Sequence, residues 1–149
     1  MLGTIQDTID ELREDGMSIG AVGITSFRPF PLEQLRAALA HADRVVVLEK
    51  ALAVGIGGIV TANVRMALAG IVLHGYTVIA GLGGRPITKA SLHRLFHEAA
   101  ADRLEPLTFL DMDWDIVNRE LARMAASRSS GPSAENMLRD SGPVAAGPV

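Results

Sequence analysis

The sequence predicts an α/β fold of three layers, α/β/α, with helices on both faces of a mostly parallel sheet. Three observations carry this reading. Strand-like and helix-like runs alternate from end to end, the pattern of a parallel sheet between helix layers. The run Val45-Val46-Val47-Leu48 is uninterruptedly apolar and mostly β-branched, as in a strand covered on both faces. Two glycine clusters, Gly55-Ile56-Gly57-Gly58 and Gly81-Leu82-Gly83-Gly84, each stand between a strand-like run and a helix-like run, where glycine permits positive φ and close backbone approach.

The elements follow in order. Thr4-Ile5-Gln6-Asp7 has the form of a capping box with Asp in place of Glu, and Ile5, Ile9 and Leu12 then recur at helical spacing. Gly16 suits the residue just past that helix. Residues 19–25 read as a strand, with Gly20 and Gly23 marking close packing against a neighbour. Pro31 suits the first turn of a second helix, whose apolar face is Leu32, Leu35 and Leu39. A strand at 45–48 leads to the first glycine cluster, then to a helix over 59–69 with Val60, Val64 and Leu68 on one stripe. Residues 77–80 form the next strand. Thr88 caps a helix whose stripe is Leu92, Leu95, Phe96 and Ala99. Thr108-Phe109-Leu110 reads as a short extended piece, and Asp113 caps a last helix through Trp114, Val117 and Leu121. The chain opens on a helix with no strand before it, as if a βα unit had lost its β.

These elements place one domain at 1–126. Residues 127–149, rich in Ser, Gly, Pro and Ala, read as a flexible tail with room for a short helix at 132–139.

Composition excludes several functions. Hydrophobic residues make up 48% but aromatics only 4%, so the core should be aliphatic. The net charge of −3 and the absence of a basic block argue against nucleic-acid or anionic-membrane binding. With no cysteine there is no disulfide scaffold, no cysteine nucleophile, and no iron–sulfur cluster held by this chain's own thiolates. Asp7, Asp10 and Glu11 interrupt any signal-like apolar stretch, so the expected location is the cytoplasm.

Candidate chemistry is sparse, and no catalytic residue is assigned. Backbone N–H groups at Gly55, Gly57 and Gly58, or at Gly81, Gly83 and Gly84, offer a weak alternative as a phosphate cradle. The G-x-G-G spacing is not a dinucleotide fingerprint, and a tight turn explains it better. His93 and His97 are four apart on one helix, but no further ligand accompanies them, and no metal site is expected. Asp111, Asp113 and Asp115 lack the glycine and polar positions of a calcium loop and suit capping instead. Glu49 ends a central strand and reads as a solvated strand end. Arg28, between Phe27 and Pro29-Phe30-Pro31, sits in a stiff segment suited to a rigid connection or a subunit contact.

A resemblance adds to this. Ile9-Asp10-Glu11-Leu12-Arg13-Glu14-Asp15-Gly16, Gly20-Ala21-Val22-Gly23-Ile24, Phe27-Arg28-Pro29-Phe30-Pro31, Val45-Val46-Val47-Leu48-Glu49-Lys50, Gly55-Ile56-Gly57-Gly58 and Gly81-Leu82-Gly83-Gly84-Arg85-Pro86-Ile87-Thr88 occur in this order. Over residues 3–100 they resemble the C-terminal, transketolase-C-like domain of the α subunit of pyruvate:ferredoxin oxidoreductase and related 2-oxoacid:acceptor oxidoreductases. The resemblance implies membership of an enzyme that oxidatively decarboxylates a 2-oxoacid to acyl-CoA with thiamine diphosphate, CoA and iron–sulfur clusters, none of them bound by this chain alone. It implies a chiefly architectural role, with structural or interface duties for Arg28, Pro29, Phe30, Pro31, Glu49 and Arg85. The implied partners are a thiamine-diphosphate β-type subunit, the remaining α domain and an iron–sulfur subunit.

Two departures stand out. Glu49-Lys50 replaces a common Asp-Arg of the family. The family also has a strand just before the first helix, lying between the strands matched by 19–25 and 45–48. Its absence should leave two rows of backbone groups unpaired. The chain is then a fragment, a split product completed by a partner, or a sheet that closes the gap by direct pairing. The alternative function is a free-standing α/β module that binds a nucleotide or other phosphate-containing ligand at the glycine loops.

Overall fold

The computed structural model describes residues 2–71 and 74–126. One compact unit ends at Asp111 and a second begins at Met112. The first contains α1 (Leu2–Glu14), α2 (Leu32–Leu39), β1 (Arg44–Glu49), β2 (Leu52–Ala53), β3 (Gly57–Gly58), α3 (Ile59–Ala67), β4 (His74–Ile79), α4 (Lys89–Ala100) and β5 (Leu107–Phe109). Its main sheet has the order β1-β4-β5 with both pairings parallel, and β2 and β3 form a small antiparallel hairpin. The fold is α/β with helices on a parallel sheet, consistent with a three-layer transketolase-C-like domain.

Two apolar clusters explain the layering. Alternate residues of a strand face opposite sides. Accordingly Tyr76 and Val78 join Leu12 of α1 and Leu92, Leu95, Phe96 and Ala99 of α4, with Val46 and Leu48 packed against them. Val45 joins Leu35 of α2 and Val64, Ala67 and Leu68, with Val47 beside them. The stripe expected for α4 is buried in full. Helix α1 pairs with α4, and α2 with α3.

The structure corrects several expectations. Residues 19–25 belong to no strand and to no helix. Among the described residues, no backbone–backbone hydrogen bond is made by residues 18–29. A strand needs a neighbour to complete its ladder, and among the described residues none pairs with this segment. Direct pairing of this segment with β1 is not seen: among the described residues β1 pairs only with β4. For the same reason β1 is not covered as an interior strand. Val46, Val47 and Leu48 stay half-buried, whereas Tyr76 to Ile79 of β4 are buried throughout. The capping box is also overturned. Helix α1 already runs from Leu2, so Thr4 lies within it, and its carbonyl accepts from Thr8 Oγ1 at 2.7 Å. Pro31 sits at the N-cap of α2 rather than inside it.

Other punctuation matches the sequence. Gly16, just past α1, has φ +87°. Thr88 Oγ1 accepts from the Ser91 amide at 3.1 Å, capping α4. The extended piece near Thr108 is β5, in register with β4 through Thr108↔Val78. The second unit opens with α5 (Trp114–Ala126), capped by Asp113 Oδ1 on the Ile116 amide at 3.1 Å. The expected tail and its helix at 132–139 lie outside the described residues.

Candidate functional site

The site grows from the carboxyl end of β1. Glu49 is not a solvated strand end: it is buried, at 4% exposure. Its Oε2 accepts from the Val60 amide at 2.8 Å, and its Oε1 accepts from the Thr61 amide at 3.0 Å and from Thr61 Oγ1 at 2.8 Å. Helix α3 begins at Ile59 with Gly58 as its cap residue, which has no side chain to offer. Glu49 reaches across from the strand and satisfies two of the orphan amides that every helix start exposes. A carboxylate there is also favoured by the helix dipole.

The first glycine cluster serves this joint. Gly55 and Gly57 have φ of +81° and +92°, which turn the β2–β3 hairpin. A Cβ at Gly58 would stand 2.0 Å from Glu49 Oε1 and 2.8 Å from Thr61 Oγ1. The carboxylate occupies the place where a ligand phosphate would meet the α3 amides. The second cluster makes a single 3-10 turn over Leu82–Gly84, after Gly81 in the left-handed region. Arg85 donates to the Asp111 carbonyl at 3.0 Å.

The Arg28 segment lies beside the start of α3. Its guanidinium stacks 4.2 Å from the Phe27 ring centroid and donates to Asn63 Oδ1 at 3.2 Å. Phe27 and Phe30 meet edge to face at 6.3 Å, and the Arg28–Pro29 bond is cis. Pro31 then stands at the N-cap of α2. Arg28, Glu49 and the Gly58 loop therefore converge on the first two turns of α3, while Arg85 stands on a different loop.

At the opposite end of the strands is a cluster that sequence reading missed. Asp102, with φ +53° after α4, receives Arg44 Nε at 2.8 Å, Tyr76 Oη at 2.9 Å and His74 Nδ1 at 3.0 Å. Arg44 first and Tyr76 second hold the Asp102 carboxyl far below the usual range, and the bond to Asp102 in turn raises the Tyr76 phenol. No motif announces this cluster, because its members are scattered over 58 residues and only the fold gathers them. His93, considered above for metal, bonds Glu11 Oε2 at 2.8 Å, and Lys89 bonds the other oxygen at 2.8 Å. Lys89 first, then His93, lowers the Glu11 pKa. Among the described residues, no group of three or more His, Asp or Glu is placed to hold a metal ion.

Residues 1–92 match the family described as pyruvate:ferredoxin oxidoreductase core domain II. The chain belongs to this family. Pyruvate synthase subunit PorA of Pyrococcus furiosus is 32% identical over 124 residues, covering 78% of this chain and 31% of its own length. The PorA of Methanothermobacter thermautotrophicus is 35% identical over 92 residues, covering 62% of this chain and 24% of its own. Ketoisovalerate oxidoreductase subunit VorA of Pyrococcus furiosus is 32% identical over 90 residues, covering 59% and 23%. The chain thus spans between 23% and 31% of the length of these relatives. The core domain II match takes in both glycine clusters, Arg28 and Glu49, and stops within α4. No helix among the described residues is long and apolar enough to cross a membrane.

Proposed function

We propose that this chain is a non-catalytic architectural part of a cytoplasmic 2-oxoacid:ferredoxin oxidoreductase, and that it acts by assembly. The enzyme oxidatively decarboxylates a pyruvate-type 2-oxoacid to acyl-CoA. Thiamine diphosphate, CoA and iron–sulfur clusters are supplied by the other subunits: the thiamine-diphosphate β-type subunit, the remaining α domain and the iron–sulfur subunit. Family membership supports the class of enzyme. One observation carries the division between architecture and ligand binding. The amides that open α3 are filled by Glu49 of the chain itself, so the glycine loop is a joint between strand and helix rather than a phosphate cradle. Arg28, Pro29, Phe30 and Pro31 form the rigid surface beside that joint, and they serve as a subunit contact together with Arg85.

The test is recovery of tagged chain from native cell extract, with mass spectrometry of what accompanies it. A thiamine-diphosphate subunit and an iron–sulfur subunit are expected. Recovery of folded chain alone, with a melting temperature raised by CoA, a nucleotide or thiamine diphosphate, would overturn the reading in favour of a ligand-binding module.

A further inference from the structure

Between α3 and the strands β1 and β4 lies a cavity of about 270 Å³. Val45 and Val47 of β1 line it on one side, and Val64 and Leu68, at α3 and its end, on the other, with Ile71 just beyond them. These five aliphatic side chains all belong to the α2/α3 cluster, so the cavity is a gap in that apolar layer.

The polar side chains that reach the cavity decide what it can hold. Among the described residues they are Thr61, Arg65 and Tyr76. Thr61 Oγ1 gives its proton to Glu49 Oε1 at 2.8 Å, and Tyr76 Oη gives its proton to Asp102 Oδ1 at 2.9 Å. A hydroxyl has one proton, so neither residue has a donor left for a ligand. Arg65 differs. It is exposed, at the mouth of the cavity, and among the described residues it makes no hydrogen bond or ion pair. Its guanidinium holds five N–H donors in a planar fork that matches the two oxygens of a carboxylate.

We propose that this cavity binds a short-chain aliphatic monocarboxylate, with its tail among Val45, Val47, Val64 and Leu68 and its carboxylate on Arg65. The ligand class follows from the walls. A polar atom on the tail would be buried without a partner, so the tail is hydrocarbon. The head is anionic, because the free group at the mouth is a cation. A carboxylate fits better than a phosphate monoester, whose further charge and third oxygen would find no second donor here. The volume lies just under the range of drug-sized ligands, so the tail is short. The proposal rests on the cavity and on Arg65, not on the oxidoreductase reading.

The experiment uses the full chain and hexanoate, followed by backbone amide NMR. Titration should move the signals of Val45, Val47, Val64 and Leu68 and leave Val54 and Ile56 at the exposed hairpin tip where they were. Hexanoate should bind more tightly than butanoate, by about fourfold per added CH₂. Arg65→Gln, an exposed helix position where both residues are good helix formers, should keep the fold and weaken hexanoate by about tenfold. Arg65→Lys should recover part of that loss. 1-Hexanol, the same tail without the charge, should also bind about tenfold more weakly. No shift at the four cavity residues with hexanoate at up to about 20 mM would overturn the proposal, since a ligand this small can reach a Kd of about 1 mM. So would equal binding of hexanoate by Arg65→Gln, equal binding of 1-hexanol, or shifts at Val54 and Ile56 as large as those in the cavity. Hexanoate is none of the ligands that test the assembly reading, so either proposal fails without the other.

Discussion

At the scale of single residues, Glu49 and Gly58 act as one unit. Glu49→Ala would strand the Val60 and Thr61 amides at a buried helix start. The expected loss is about 2–3 kcal/mol, measured by urea unfolding. Gly58→Ala should destabilise by about 1–3 kcal/mol, because its Cβ drives into the carboxylate. The double variant should lose less than the sum, since removing the carboxylate removes the clash. Strict additivity would mean that the two residues do not meet. Asp102 gives a pH prediction. Its folded pKa is depressed below the ordinary 3.8, first by Arg44 and then by Tyr76. A depressed carboxyl stabilises the fold above its unfolded pKa and loses that contribution as pH falls toward the folded value. Unfolding free energy should therefore drop below about pH 4, and Asp102→Asn should flatten that acid limb. An unchanged acid limb in the variant would assign it to other groups.

At the scale of elements, β1 should show alternating amide protection even without a partner. Val45 and Val47 should exchange slowly and Val46 and Leu48 fast, because only the first pair donates into the β4 ladder. Uniform protection along β1 would show a second paired edge. The same element shows what the sequence could reveal. Four apolar residues in a row announced a strand, and Leu92, Leu95, Phe96 and Ala99 announced the buried face of α4, because periodicity is local. Ladder completion is not local. Residues 19–25 have strand composition, but whether they become a strand depends on a neighbour that the segment itself cannot specify. Glu49 was visible as a strand terminus, but its burial depended on α3 folding back to present two amides. The Asp102 cluster was invisible because no spacing in the sequence relates Arg44, Tyr76 and Asp102. Thr88 and Asp113, by contrast, cap helices that start within three residues of them, and both could be read directly.

At the scale of the whole molecule, the proposed architectural role implies that the purified chain alone should leave pyruvate and CoA unchanged in a viologen-reduction assay. Turnover by the isolated chain would refute the architectural role. The edge position of β1 among the described residues also bears on how this sequence behaves in concentrated solution. Its core Val46-Val47-Leu48 carries no charge, proline or bulge, so the backbone groups on that side stand open as a template for edge-to-edge pairing. A single lysine or proline at Val46 should raise the concentration at which this sequence stays in solution, since either one blunts such an edge.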